Sequence, residues 1–392
     1  MSAPDSRPPG KGSAPGGVYL DHAASTPMEA SVAARVAEMG AVAGNPASVH
    51  SAGVWAAREV ERARMRLAAR LGASEEELVF TSGATEANNM ALKGVVFAAR
   101  RHRPELLVSA VEHPSVLEPA RWLDAAGLAR LTVLPVDGEG RMRVETVEAA
   151  LGPDTLLVSV QHANNETGVL QPVAAIGRLC RSRGVHFHVD ASQGLCKAPI
   201  DVNGCAIDLL TASGHKLHGP KGVGLLYLRE GVPFEPLLHG GGHERGLRGG
   251  TLNAPAIAGF GLAVAGYSAE ELARVASLRD RFEAGLRARF PNVRIAAGAV
   301  PRIPTISNFA LPGVSGKAVF QALDRRGVLV SASSACHSTL LTPSAVLKAM
   351  GASDDEANEA VRVSFGRTTA AFEVDTLLTA LAELQEEVNA CR

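Results

Sequence analysis

The chain has 392 residues, of which 46% are hydrophobic and 20% are charged, and its formal net charge is −1. This balance is typical of a soluble globular protein, and without a prominent run of Lys or Arg it argues against nucleic acid as a direct partner. The sequence also lacks the roughly 18 uninterrupted apolar residues that a membrane-spanning helix needs. Its five cysteines form no CxxC pair, so neither a disulfide framework nor a metal site is predicted. The length suits two domains in a cytoplasmic protein.

The first part of the chain predicts an alternation of strands and helices. Residues 1–17 are rich in Pro, Gly and Ser and lack the apolar segment of a signal peptide, which predicts a disordered leader. A short strand is expected within 18–27, followed by helices over 29–39 and 54–71. Further on, strands and helices alternate, which indicates a mostly parallel sheet covered by helices on both faces. The seven strand candidates are Leu78–Thr81, Leu106–Ala110, Leu131–Val136, Leu156–Val160, Val185–Val189, Leu209–Thr211 and Val223–Leu228.

The second part of the chain has a different pattern. Long helices are expected over 254–267 and 269–290, and the second begins with the capping box Ser268 and Glu271. Strands near 293–297, 305–310, 328–331 and 360–365 alternate with helices over 316–326, 343–350 and 373–390. We therefore predict a large domain over 29–255 and a smaller α+β domain formed by 18–28 and 256–392.

Polar residues follow several strands of the predicted sheet, where ligands of such sheets usually bind. After the first strand, Gly83, Ala84 and Thr85 begin a helix whose free N–H groups and dipole attract an anion such as phosphate, although an ordinary N-cap turn also explains them. His113 follows the next strand and suits either a ring partner of a cofactor or a helix cap. Asn164 suits hydrogen bonds to a substrate or an Asx turn.

Two charged residues end buried strands. Asp190 follows an apolar run and requires a positive partner, for which a protonated pyridine nitrogen is suited. Lys216 comes 26 residues later, after a further strand. Lysines are usually solvated, but one placed here can hold a carbonyl cofactor such as pyridoxal phosphate through its amine. Cys336 lies in a small polar stretch before His337, where it is either a reactive thiol or an incidental loop cysteine.

These residues belong to motifs that resemble a known family over nearly the whole chain. The chain is similar to cysteine desulfurases of the NifS/IscS type, which are class V aminotransferases with the pyridoxal-phosphate-dependent transferase fold (fold type I). The motifs that carry the resemblance are YLDHAASTP, GNPASVHSAG, FTSGATEANN, VEHPSV, HANNETGVLQP, HVDASQ, SGHKLHGPKGVG, GGGHERGLRGGTLN, SSACHS and VRVSFGRTT.

The resemblance implies a role for each matching position. Lys216 would carry pyridoxal 5'-phosphate, Asp190 would pair with its pyridinium nitrogen, Gln193 would bind its phenolate oxygen, and His113 would stack on its ring. The phosphate would be held by Ala84, Thr85, Ser213 and His215, together with Thr251 from a partner subunit, which implies a homodimer. The substrate carboxylate would be bound by Asn164 and Arg367.

The implied reaction converts L-cysteine to L-alanine. Lys216 or His113 would remove the Cα proton, and the Cys336 thiolate would take the substrate sulfur as a persulfide for an acceptor protein, such as an iron–sulfur scaffold. Three alternatives remain at this stage. They are a selenocysteine lyase, a fold-type-I aminotransferase in which Cys336 is idle, and a non-catalytic scaffold that retains the fold.

Overall fold

The fold is built on a seven-stranded sheet in a computed structural model that describes residues 17–100, 102–332 and 343–390. Its strands are β2 Leu78–Thr81, β3 Glu105–Ser109, β4 Arg130–Leu134, β5 Thr155–Ser159, β6 His186–Asp190, β7 Leu209–Ser213 and β8 Gly224–Leu228. The order across the sheet is β2-β8-β7-β6-β5-β3-β4. Strand β8 is antiparallel to both neighbours, and the other pairs are parallel. The predicted mostly parallel sheet of seven strands is therefore confirmed.

Helices cover both faces of this sheet, because its central strands are apolar on both sides. Strands β2, β3, β7 and β8 are buried throughout, as expected for a sheet between two helical layers. The helices of this part are α1 Ala30–Gly40, α2 Ser51–Leu71, α3 Ala84–Ala98, α4 Pro114–Ala125, α5 Val144–Ala150, α6 Val173–Ser182 and α7 Ala254–Ala265. Helices α3 and α4 pack on one face, and α2, α6 and α7 contribute to the core on the other.

A second core lies around a smaller antiparallel sheet. The sheet has the order β12-β13-β10-β9, and a separate parallel pair joins β1 to β11. The strands are β1 Val18–Tyr19, β9 Arg294–Ile295, β10 Ile306–Ala310, β11 Val328–Leu329, β12 Ser331–Ala332 and β13 Ala360–Ser364. The helices are α8 Ala269–Arg289, α9 Gly316–Arg325, α10 Ala345–Ala349, α11 Asp354–Asn358 and α12 Ala371–Ala390. Phe282, Phe309 and Phe365 are fully buried in this core, with their rings packed edge to face.

Several element boundaries differ from those predicted. Helix α2 begins at Ser51 rather than at 54, because the His50 side chain caps it by accepting a hydrogen bond from Gly53 N at 3.3 Å. The single strand expected over 328–331 is divided between β11 and β12. The capping box of Ser268 and Glu271 is confirmed. The domain boundaries stay a prediction, and α7 packs into the core of the larger sheet.

The described residues contain neither a membrane-spanning helix nor a cluster of metal-ligating side chains. Within these ranges, none of the helices is both long and apolar enough to span a bilayer. Over the same part of the chain, no group of three His, Cys, Asp or Glu side chains is placed to hold a metal ion.

A buried ion pair fastens the glycine-rich loop before α7 to the larger core. Arg64 on α2 donates to both carboxylate oxygens of Glu244, at 3.1 and 2.7 Å, and to Leu78 O at 2.7 Å. Glu244 also accepts a hydrogen bond from Phe80 N at 2.7 Å. Both side chains are almost fully buried, so each depends on the other to offset the cost of leaving water.

Removing one partner of this pair is expected to destabilise the protein strongly. Glu244→Gln leaves the buried Arg64 charge with the half-exposed Glu61 as its remaining carboxylate partner, and we expect the free energy of unfolding to fall by about 3 kcal/mol, the lower end of the range for breaking a buried pair. Arg62→Gln is the matched control. Arg62 forms an ion pair with Glu59, but its side chain is 63% exposed, and such exposed pairs contribute about 1 kcal/mol or less. Denaturant titration measures both variants, and equal losses would contradict the argument.

Candidate active site

A cleft of about 720 Å³ lies at the carboxyl ends of the parallel strands. It brings together residues that are far apart in sequence, as expected for ligand sites of open α/β sheets. Of the residues assigned from the sequence, the cleft is lined by Ala84, Thr85, His113, Asp190, Gln193, Ser213, His215 and Lys216. Its wall also includes the Asp21–Ser25 segment after β1 and Arg362 on β13.

The start of α3 presents unpaired backbone N–H groups to the cleft. Gly83 is the N-cap residue, and no side chain caps this helix, so an ordinary side-chain N-cap turn does not account for the Gly-Ala-Thr sequence. Gly224 on β8 passes so close that a Cβ there would lie 2.5 Å from the Gly83 carbonyl carbon. A 15-residue helix with an open N-terminus at a cleft is suited to an anion such as phosphate.

Asp190 is a buried carboxylate held by neutral donors. It ends β6, is 6% exposed, and accepts hydrogen bonds from Asn88 Nδ2 and Ser192 N, each at 2.8 Å. Asn88 is held in turn by Thr211 Oγ1, which donates to it at 2.5 Å. Because a buried anion is stable only when a positive charge is near, this arrangement favours a cation within the cleft.

His113 is a helix cap and also lines the cleft. It is the N-cap of α4, where its Nδ1 accepts a hydrogen bond from Ser115 N at 3.1 Å, and it also lines the cleft. Burial lowers the pKa of His113, and the charge of Lys216 lowers it further, although Asp190 opposes both effects. The ring is therefore neutral at neutral pH, and because Nδ1 accepts the backbone hydrogen bond, Nε2 carries the ring hydrogen and is a hydrogen-bond donor.

Lys216 follows β7, which lies beside the strand of Asp190. Its Nζ donates to Ala23 O at 2.5 Å and to Ala24 O at 2.8 Å. Ala23 O also accepts a hydrogen bond from Gln193 Nε2 at 2.8 Å. The segment after β1 thus positions the lysine and the glutamine together on one side of the cleft.

His215 and Ser213 complete the side of the cleft next to Lys216. The pKa of His215 is lowered to about 4, mainly by burial and then by the charge of Lys216. The imidazole Nδ1 lies 3.3 Å from Ser25 Oγ. A neutral imidazole and a buried hydroxyl can both donate a hydrogen bond to an anionic ligand.

The structure does not bring two predicted substrate-binding residues to the cleft. Arg367 donates from NH1 to Glu29 Oε2 at 2.7 Å and from NH2 to Glu271 Oε1 at 2.9 Å, which holds its guanidinium away from the site. The Asn164 side chain closes its own loop by accepting hydrogen bonds from Glu166 N and Thr167 N. The Asx-turn interpretation therefore describes the contacts of Asn164, and the assignment of Arg367 to the substrate carboxylate stays a prediction that these ion pairs do not support.

Asn165 and Arg362 line the cleft, whereas Asn164 and Arg367 do not. Arg362 is 4% exposed, donates to Asp21 Oδ1 at 2.8 Å and to Asn165 O at 3.0 Å, and lines the cleft. Its Nε is buried and has no hydrogen-bond partner among the described residues. The sequence contained a signal that we missed, since an arginine between Val361 and Val363 in a buried strand needs an anionic partner.

Two further sequence assignments are not tested by this geometry. Cys336 lies outside the described residues. Thr251 is exposed and is not part of the cleft wall of this chain, so its contribution to a partner's site stays a prediction.

Comparisons with known proteins agree with this arrangement. A family model described as aminotransferase class-V matches residues 18–377. The cysteine desulfurase IscS of Shewanella baltica (strain OS223) is 41% identical over 375 residues, which cover 93% of this chain and 92% of that protein. A solved NifS-like protein superposes with a TM-score of 0.87 at 33% identity, covering 94% of this chain and 99% of that one. A solved structure described as SspA in complex with cysteine superposes with a TM-score of 0.81 at 35% identity, covering 90% of this chain and 99% of that one. The chain belongs to the aminotransferase class-V family.

Proposed function

We propose that this protein is a pyridoxal-phosphate-dependent cysteine desulfurase. It would convert L-cysteine to L-alanine and transfer the substrate sulfur to Cys336 as a persulfide. The observation that carries the proposal is that Lys216, Asp190 and the open N-terminus of α3 line one cleft, in a chain similar to proteins named cysteine desulfurase.

The residues of the cleft fit the three polar features of pyridoxal phosphate. The phosphate suits the uncapped N-terminus of α3, with Ser213 and His215 as further donors. The ring nitrogen suits Asp190, whose two hydrogen-bond donors are both neutral groups. The aldehyde suits the Lys216 amine, which lines the same cleft. In addition, Ser192 Oγ is buried at the cleft without a hydrogen-bond partner among the described residues.

When bound, pyridoxal phosphate supplies an electron sink that makes the Cα proton of an amino acid acidic. The protein contributes charge and proton transfer. Asp190 would stabilise a cationic ring nitrogen, and the Lys216 amine would hold the cofactor and accept or return a proton. His113 would be a further hydrogen-bond donor, because its Nδ1 accepts from Ser115 N and its Nε2 therefore carries the ring hydrogen.

Arg362 is suited to hold the substrate carboxylate. Its contacts with Asp21 and Asn165 orient the guanidinium, and the buried Nε remains available for a charge-assisted hydrogen bond. We infer that this residue fulfils the role first assigned to Arg367. A carboxylate bound there would orient the amino acid relative to Lys216, which lines the same cleft.

The sulfur transfer is assigned to Cys336 on its sequence context. The C–S bond of cysteine breaks and an S–S bond forms on the Cys336 sulfur, while the former Cβ takes up a proton and becomes the methyl group of alanine. The enzyme thiol is oxidised to a persulfide as the carbon is reduced, so that no external oxidant is needed. The persulfide would then pass to an acceptor protein, such as an iron–sulfur scaffold.

Replacing Cys336 tests this assignment. Cys336→Ala is expected to abolish the mass gain of one sulfur atom after incubation with L-cysteine, while bound cofactor absorbs visible light as in the wild type. Cys205→Ala is the control, because Cys205 lies at a half-buried position outside the cleft wall. Persulfide formation in Cys336→Ala at the wild-type level would contradict the role of this thiol.

Product analysis separates the alternatives. Alanine formed from L-cysteine supports desulfuration, whereas a keto acid would indicate an aminotransferase. Faster turnover of selenocysteine than of cysteine would indicate a selenocysteine lyase. Sedimentation of the cofactor-loaded protein tests the proposed homodimer, in which Thr251 of each chain would reach the other chain's site.

A further inference from the structure

Lys197 is a buried lysine directly behind the cleft. It is 6% exposed and belongs to the tight turns that follow β6, in which Lys197 N donates to Gly194 O at 3.0 Å. Its ammonium Nζ donates to Gln193 Oε1 at 3.2 Å. Among the residues that the structure describes, it forms no ion pair. A buried ammonium with an amide oxygen as partner is costly, which makes this position unusual for a purely structural lysine.

The surroundings of Lys197 are cationic or neutral. The pKa of Lys197 is lowered to about 7, mainly by burial and then by repulsion from the positive charge of Lys216. Cys196 opposes this effect. The other titratable or charged groups that line the adjoining small cavity or interact electrostatically with Lys197 are His22, His215, His218, Tyr267 and Arg367. Arg367 is neutralised by Glu29 and Glu271. Close to neutral pH, Lys197 is therefore partly protonated.

The contact with Gln193 determines which way its amide points. An ammonium has three donors and no acceptor, so it must face the amide oxygen rather than the amide nitrogen. The nitrogen then lies on the opposite side, where Nε2 donates one hydrogen to Ala23 O at 2.8 Å. Rotating the amide by half a turn would place two donors against each other at Lys197 and an oxygen against the Ala23 carbonyl. Lys197 thus selects one of the two amide orientations.

We propose that Lys197 is a positioning residue that holds the Gln193 amide with its nitrogen toward the cleft, so that its second hydrogen is available to an anionic oxygen on the cofactor ring. The inference rests on the proposed function, because it needs a cofactor in the cleft that Gln193 lines. It adds a residue that does not touch the cofactor and acts through Gln193.

A double-mutant cycle tests the proposal. The wild type, Lys197→Met, Gln193→Leu and the double variant are compared by the dissociation constant for added pyridoxal phosphate and by the absorption maximum of the bound cofactor. Methionine matches lysine in length but donates no hydrogen bond. We expect each single variant to bind the cofactor about 2- to 10-fold more weakly, the range expected for one net hydrogen bond, and to shift the absorption maximum. The double variant should bind no more weakly than Gln193→Leu.

Lys348→Met is the matched control, since Lys348 is a surface lysine paired to Asp354. This variant should bind pyridoxal phosphate with the wild-type dissociation constant. The thermal midpoint of the cofactor-free proteins reports on folding, and Lys197→Met should not lower it, because the variant removes a buried charge. If Lys197→Met fails to fold, Lys197→Leu, which also donates no hydrogen bond, replaces it in the same cycle.

Wild-type affinity and spectrum in Lys197→Met, or losses that add in the double variant, would overturn the inference. A wild-type chain that binds no pyridoxal phosphate would overturn the proposed function and this inference with it. The two failures are therefore distinguished by the wild-type titration alone.

Discussion

Lys216→Ala is expected to abolish covalent attachment of the cofactor. In the wild type, borohydride treatment with pyridoxal phosphate should fix the cofactor to the peptide that contains Lys216, because this amine lines the cleft together with Asp190. The variant lacks the amine and should show no such adduct. The Cα proton also loses its nearest proposed base, so alanine formation from cysteine should fall by roughly 10²- to 10⁴-fold.

The chain offers a matched control for this experiment. Lys221 lines the same cleft but is exposed, and Lys221→Ala should retain the adduct on Lys216. Mass spectrometry of the digested, reduced proteins locates the adduct in each variant. An adduct that persists in Lys216→Ala, or that maps to Lys221 in the wild type, would remove the basis of the proposed cofactor site.

Arg362→Gln is expected to raise the KM for L-cysteine by roughly 10- to 100-fold. The variant removes a charge-assisted hydrogen bond to the substrate carboxylate, and such bonds contribute about 1.5 to 3 kcal/mol. Cofactor affinity should change little, because the phosphate and ring contacts are assigned to other residues. Steady-state kinetics with cysteine as the varied substrate measures the effect.

Arg367→Gln is the comparison that decides between the two arginines. Its guanidinium is engaged by Glu29 and Glu271 outside the cleft, and its loss should lower thermal stability while leaving the KM near the wild-type value. A large rise in KM for Arg367→Gln with none for Arg362→Gln would restore the assignment made from the sequence. It would also contradict the proposed role of Arg362.

Much of the fold follows from local sequence patterns. The apolar runs predicted as strands over Leu78–Thr81 and Leu209–Thr211 are short and have a glycine within the next three residues, and the structure confirms both as buried strands. The capping box at Ser268 is a local signal that the structure reproduces. By contrast, the His50 cap of α2 was missed, because histidine is not among the preferred N-cap residues.

The candidate site was predictable where its residues directly follow strands. Asp190 and Lys216 lie at the ends of the neighbouring strands β6 and β7, so the parallel pairing alone places them at the same edge of the sheet. Asn88 was missed although it lies in the helix after β2, because the sequence does not show that its amide reaches Asp190 at 2.8 Å.

The sequence by itself determined the order of strands and helices and the family resemblance, which points to Lys216 as the candidate cofactor lysine, because these depend on motifs and spacing along the chain. Only the tertiary structure distinguished Arg362 from Arg367, since the two are five positions apart in the sequence but Arg362 lines the cleft and Arg367 is paired with Glu29 and Glu271. The same holds for Lys197, whose role depends on a buried contact with Gln193. A side chain's partners are set by elements distant in sequence, and no local pattern encodes which way a buried guanidinium or amide faces.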